Sequence, residues 1–159
     1  MLRPAHGIYN PRQAGKRHQL LLDDLRLWTD GIIKQYKVKR VIVEAPFSGP
    51  NARAFMLACK MMGVIELTCE DHGILCVEAT ASQWRKHFIG FAQAPRKLPK
   101  QQRRDWLKKR AIAACKARGW PVETDDEADA IGLLDYALAL EFPVYEEKSK
   151  GYTDGLDQG

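Results

Sequence analysis

Two short β-branched runs on either side of one helix-length segment narrow the fold of this chain more than any other feature. Val38 to Glu44 reads Val-Lys-Arg-Val-Ile-Val-Glu, continuous enough for a strand buried on both faces. Pro46, Ser48, Gly49 and Pro50 break it. A helix is predicted from about Asn51 to His72, with Phe55, Leu57, Ala58, Met61, Met62, Ile65 and Leu67 as core candidates and Gly73 as its stop. Ile74 to Ala79 is a second β-like run. Two strands joined by a helix of this length make a βαβ unit, for which parallel pairing and a right-handed crossover are the default. The predicted fold class is α/β.

The remaining segments are mostly helical in pattern. Leu20, Leu21, Leu25, Trp28, Ile32 and Ile33 recur at a helical period and predict an amphipathic helix over about Lys16 to Tyr36. Residues 1–15 are rich in Pro, Gly and Asn and read as irregular, with a short extended piece at Met1 to Arg3. After Ala79 come a short helix around Ser82 to Phe88 and a basic, Pro-containing loop, Gln93 to Lys100. A helix over about Gln101 to Arg118 points Trp106, Leu107, Ile112, Ala113 and Cys115 inward and Arg103, Arg104, Lys108, Lys109 and Arg110 outward, and Gly119 ends it. The last helix opens at Thr124 and runs to about Leu140, before Pro143. A length of 159 residues suits one domain with a real core. That domain is placed at 1–142, with 143–159 as a polar, disordered tail.

Composition excludes several classes. No apolar run approaches the roughly 18–20 residues that span a bilayer, and the first residues lack the apolar core of a signal peptide, so a cytoplasmic protein is expected. Cys59, Cys69, Cys76 and Cys115 form no Cys-x-x-Cys pair and sit in apolar patterns, which favours buried free thiols over zinc ligands or disulfides. His6, His18, His72 and His87 show no ligand spacing. The formal net charge is +5, but its distribution is more informative. From Arg85 to Arg118 there are twelve Lys and Arg against the single acid Asp105, and from Gly119 to Gly159 eleven acids against Lys148 and Lys150. A metal-dependent nucleic-acid enzyme needs both, cations for phosphates and carboxylates for the metal. A solvated helix face beside an acidic tail produces the same tally.

The acids concentrate in Thr124-Asp125-Asp126-Glu127-Ala128-Asp129-Ala130. Thr124 and Glu127 have capping-box spacing, and acids in a first turn favour the positive end of the helix dipole, so Thr124, Asp125 and Glu127 are explained by starting a helix. Asp129 lies beyond the first turn and shares a helix face with Asp126, Ala130, Leu133 and Ala137. A carboxylate along an apolar stripe needs a partner. A divalent cation shared with Asp126 and Glu44 would supply one, and so would a structural pair or a helix-end effect. Glu44 itself either emerges into solvent or stands at the strand edge where open α/β sheets place their sites.

Val41 to Phe47, the helix holding Ala52 to Gly63, Gly73 to Val77, Trp84-Arg85-Lys86 and Asp126 to Ala130, in this order and spacing, resemble the RuvC-like Holliday junction resolvases of the bacterial and phage branch. The resemblance covers roughly Val38 to Leu140. It implies an RNase H-like mixed sheet flanked by helices, a homodimer, and cleavage of branched DNA at four-way junctions with Mg2+ held by carboxylates. Glu44, Asp126 and Asp129 are then the catalytic, metal-holding acids. Phe47 falls where an aromatic can stack on bases, or else it covers the core. Arg85, Lys86 and Lys109 fall in segments that place phosphate-binding cations. Two Mg2+ ions, with Mn2+ as a substitute, would act in two-metal hydrolysis: one lowers the pKa of a water, the other stabilises the leaving 3′ oxygen, at roughly 3.5–4 Å separation. The family's first strand carries a further aspartate. Residues 1–15 hold no acid and no such strand, so the chain reads as lacking its N-terminal strand. The expected function is a structure-selective DNA endonuclease, a crossover junction endodeoxyribonuclease of DNA recombination and repair. The alternatives are a catalytically silent branched-DNA-binding remnant and an RNase H-like nuclease with another substrate.

Overall fold

A computed structural model of the chain describes residues 11–142. Among these, seven elements follow in the order α1 (Pro11–Tyr36), β1 (Arg40–Glu44), α2 (Ala52–Asp71), β2 (Leu75–Ala79), α3 (Ala81–Ile89), α4 (Lys100–Ala117) and α5 (Asp125–Glu141). β1 and β2 pair in a two-stranded parallel sheet, as the βαβ spacing predicts, and the fold class is α/β. The extended piece expected at Met1 to Arg3 and the tail expected at 143–159 lie outside the described residues. The described residues divide into two compact units, 11–41 with 46–76, and 42–45 with 77–142.

In the first unit α1 packs against α2. The helix already covers Pro11 to Gly15, which the sequence pattern left irregular. Ile33 and Thr29 are buried on α1, whereas Leu20 is 62% and Trp28 64% exposed, contrary to the core placement expected for them. Trp28 stands next to the buried Thr29, about 100° further round the helix, so the face that α2 covers is narrower than the predicted apolar stripe. On α2, Leu67 is exposed, and Thr68 and Cys69 take the buried places. The two buried hydroxyls are satisfied within their own helices: Thr29 donates to the carbonyl of Leu25 at 2.8 Å and Thr68 to that of Val64 at 2.7 Å. The Asp30 carboxylate bonds His72 Nε2 at 2.8 Å and accepts from Lys34 Nζ at 2.8 Å. Gly73, at φ +62°, turns the chain out of α2, a left-handed position that favours glycine.

The second unit holds the tightest packing. Trp84, Phe88 and Ile89 of α3, Ala111, Ala114 and Cys115 of α4, and Ala128 of α5 form one buried cluster. Ala113, expected to face inward, is exposed; the buried face of α4 is instead Ala111, Ala114 and Cys115, three and four residues apart. Both α3 and α5 open with complete capping boxes, Thr80 with Gln83 and Thr124 with Glu127. Arg118 closes α4: its guanidinium lies 4.4 Å from the Phe88 ring centroid and donates to the carbonyls of Phe88 and Ala114, each at 3.2 Å. All four cysteines are free thiols, with Cys69 and Cys115 buried, and burial pushes both thiol pKa values up.

Candidate catalytic site

β1 ends on Glu44, whose side chain is exposed. The next residue is tied to the neighbouring strand, Ala45 N–H donating to the carbonyl of Ala79 at 2.8 Å, so the backbone beneath the carboxylate is fixed. Trp84, fully buried on α3, donates its indole Nε1–H to Glu44 Oε2 at 2.7 Å. The following residue, Arg85, lies over the Trp84 ring at 4.9 Å and donates from Nη2 to Asp129 Oδ2 at 3.4 Å, the long end of a hydrogen bond. Consecutive residues of α3 thus hold one carboxylate from β1 and one from α5.

Burial pushes the Asp129 carboxyl above its ordinary pKa; the Arg85 charge opposes the shift, and the negative charge of Glu44 adds to it. Asp129 therefore feels the charge of Glu44. Asp126 stands exposed in the first turn of α5, and among the described residues no group of three or more Asp, Glu, His or Cys is gathered as a metal-holding set. The structure brings two of the three expected acids into one neighbourhood.

The other acids of the cluster serve the helix start. Glu127 accepts from the backbone N–H of Glu123 at 2.7 Å and of Thr124 at 3.1 Å, and these bonds hold its carboxyl below the usual range. Asp125 pairs with Lys108, which lowers its carboxyl likewise.

The cations are divided in the same way. Lys86 and Lys109 are exposed, while Arg85 is half-buried against Asp129. Of the α4 side chains expected to face outward, several are engaged by the protein: Arg103 donates to the carbonyls of Leu98 and Arg96, and Arg110 lies over the Phe91 and Trp106 rings. Phe47, in the loop after β1, is 82% exposed, so it does not cover a core.

Sequence reasoning missed the acid on the buried stripe of α5. The buried positions are Ala128, Gly132, Asp135 and Ala139, so the carboxylate within the core is Asp135, 1% exposed, and Asp129 stands at the edge of that face. Asp135 Oδ2 bonds His87 Nε2 at 2.9 Å, and the His87 ring packs on Tyr136. The legible signal was an acid at helical spacing from three small apolar residues. A second missed feature is Gly132, where an added Cβ would come within 2.7 Å of the Phe88 ring and 2.8 Å of the Trp84 ring.

These features describe an α/β protein with the Glu44 carboxylate at a strand end, the edge where open α/β sheets place their sites, and the Asp129 carboxylate on a helix beside it. The family model described as crossover junction endodeoxyribonuclease RuvC matches residues 11–133, and the chain belongs to that family. Membership carries the RNase H-like fold and the junction-resolving endonuclease class. No curated protein matches the chain. No helix among the described residues is long and apolar enough to cross a membrane.

Proposed function

We propose that this chain is a structure-selective DNA endonuclease that resolves four-way junctions by Mg2+-dependent phosphodiester hydrolysis, as a homodimer acting in the cytoplasm. The observation that carries the reading is that Trp84 and Arg85, adjacent on α3, bond the carboxylates of Glu44 and Asp129. Two carboxylates close enough for one to raise the other's proton affinity create a negative potential that a cation relieves. The donors are oxygens, which suits Mg2+ or Mn2+, and no thiolate or imidazole is required. Glu44 and Asp129 fit such an ion as a pair. Asp126, three residues earlier on the same helix, is the third carboxylate assigned by the family pattern.

When bound, Mg2+ would activate water for in-line attack and stabilise charge on the leaving oxygen. The protein's own groups position the DNA. Lys86 and Lys109, both exposed, hold phosphates. Arg85 offsets the Asp129 charge and stands ready as a third phosphate contact. Phe47 presents an open aromatic face to a base unstacked near the crossover.

A second reading, binding of branched DNA without cleavage, is favoured by the lack of a three-ligand set among the described residues. A synthetic four-way junction separates the two. Mg2+ should support nicking, Ca2+ should not, and Asp129→Asn should reduce nicking at least a hundredfold while sparing binding, measured by gel retardation. Binding with no Mg2+-dependent cut would support the second reading. Equal cutting of linear duplex would point to an RNase H-like nuclease with another substrate.

A further inference from the structure

We propose that Trp84 is a positioning residue for Glu44: its indole N–H fixes the carboxylate through Oε2 so that Oε1 is presented to a divalent cation, and Gly132 is the seat that places the indole. The inference rests on the metal-dependent reading above and assigns roles to two residues that it leaves without one.

The geometry is specific. Glu44 is an exposed side chain at a strand end, where a glutamate ordinarily samples several rotamers and loses entropy when it is held. Here it meets the tip of a fully buried tryptophan at 2.7 Å. An indole N–H can donate but not accept, so it selects the carboxylate oxygen and leaves the group acceptor-only toward a cation. A lysine or arginine at this place would bring a positive charge and compete with the ion, whereas the indole is neutral. Outer-shell donors of this kind orient metal ligands, and losing one typically weakens metal affinity by about 10–100-fold.

The seat is equally specific. Trp84 Cζ3 and Cε3 would lie 2.8 and 2.9 Å from a Cβ built at Gly132, and Phe88 Cδ1 at 2.7 Å. Any larger residue forces the rings away from α5. Gly132 is three residues after Asp129 on the same helix, so one turn of α5 carries an acid and also the clearance that lets α3 reach the other acid. Glu44 and Asp129 are thereby held by adjacent residues of one helix, Trp84 and Arg85.

The test uses the full chain labelled with 15N. The indole N–H resonance of Trp84, assigned in the wild-type chain through its connection to the Trp84 backbone, should shift in Glu44→Gln and on titration with Mg2+, whereas those of Trp28, Trp106 and Trp120 stay in place. Folded Trp84→Phe, which keeps an aromatic ring and removes the donor, should need about tenfold more Mg2+ for half-saturation by calorimetry. Its junction cleavage should recover toward the wild-type rate at saturating Mg2+. If the Asp129 amide responds to Mg2+ while the Trp84 indole stays still, the positioning role is overturned and the metal site stands. Unchanged Mg2+ affinity in a folded Trp84→Phe protein overturns it as well. If no resonance of the wild-type chain responds to Mg2+, the metal-dependent reading fails and takes this role with it. Should Trp84→Phe not fold, the titration of the wild-type indole decides.

Discussion

Among the described residues stand two aspartate–histidine pairs of nearly equal length, one in each unit, and their surroundings differ sharply. Asp30 and His72 join the end of α2 to α1 at 2.8 Å, with both side chains partly exposed. His87 and Asp135 join α3 to α5 at 2.9 Å, with the acid 1% exposed. The same contrast holds for the packing. The first unit leaves large apolar side chains of α1 exposed, whereas the second encloses Trp84, Phe88 and Ile89 completely. A hydrogen-bonded pair in water exchanges one set of partners for another, but in a core water is not at hand to replace a bond that is lost. The carboxylates assigned to catalysis belong to the second unit, where side chains have little freedom to relax.

Three measurements would break or sharpen that contrast. The largest effect is expected at the two pairs. Asp135→Ala should cost about 2 kcal/mol, because it removes a buried hydrogen bond and empties a place in the packed face of α5, while Asp30→Ala should leave the urea midpoint nearly unchanged. Equal shifts in the two variants would show that the pairs are equivalent and the contrast empty.

Next come two helical glycines with opposite surroundings. Gly132→Ala forces a Cβ against Phe88 and Trp84 and should cost about 2 kcal/mol. Gly63, in the interior of α2, has nothing within 4 Å of an added Cβ, so Gly63→Ala should stabilise by about 0.5–1 kcal/mol through helix propensity alone. Thermal melts of the two variants should therefore move in opposite directions.

The smallest effect concerns Asp129. Its carboxyl pKa is raised on folding, chiefly by burial, so the folded state binds this proton more tightly than the unfolded chain. The resulting stability is present below the ordinary carboxylate range and is lost as pH rises through the folded value. Asp129→Asn should melt slightly higher than the wild type at neutral pH, and the difference should close as the solution is acidified. A lower melting temperature at neutral pH would mean that the Arg85 bond outweighs the burial.

The sequence carried much of this architecture because it is written in local chemistry. Val41-Ile42-Val43 and the spacing to Ile74 predict the parallel pair, and Thr124 with Glu127 predicts both the start of α5 and the structural roles of its first acids, as found. Burial was less legible. Leu20 and Trp28 share a helical period with Ile33, yet only Ile33 is covered, since a period names a face and not the neighbour that fills it. The site was half legible for the same reason. Glu44 and Asp129 are chemically conspicuous, but the bond from Trp84 spans forty residues and depends on a glycine whose value lies in what it lacks. Asp126 carried the same sequence signal as Asp129 and stands exposed one turn away.

The capping boxes at Thr80 and Thr124 also act as angular indices. Trp84 is the fourth residue of its helix and Asp129 the fifth of its own, so each direction is counted from a fixed origin only one turn away. One residue inserted after either threonine would swing the following side chain by about 100°, whereas an insertion before Thr124, between α4 and α5, would lengthen a loop and leave the aim of Asp129 untouched. Length variation among relatives of this chain should therefore accumulate ahead of Thr124 and stop at it, while Thr80, set directly after β2, should tolerate none on either side.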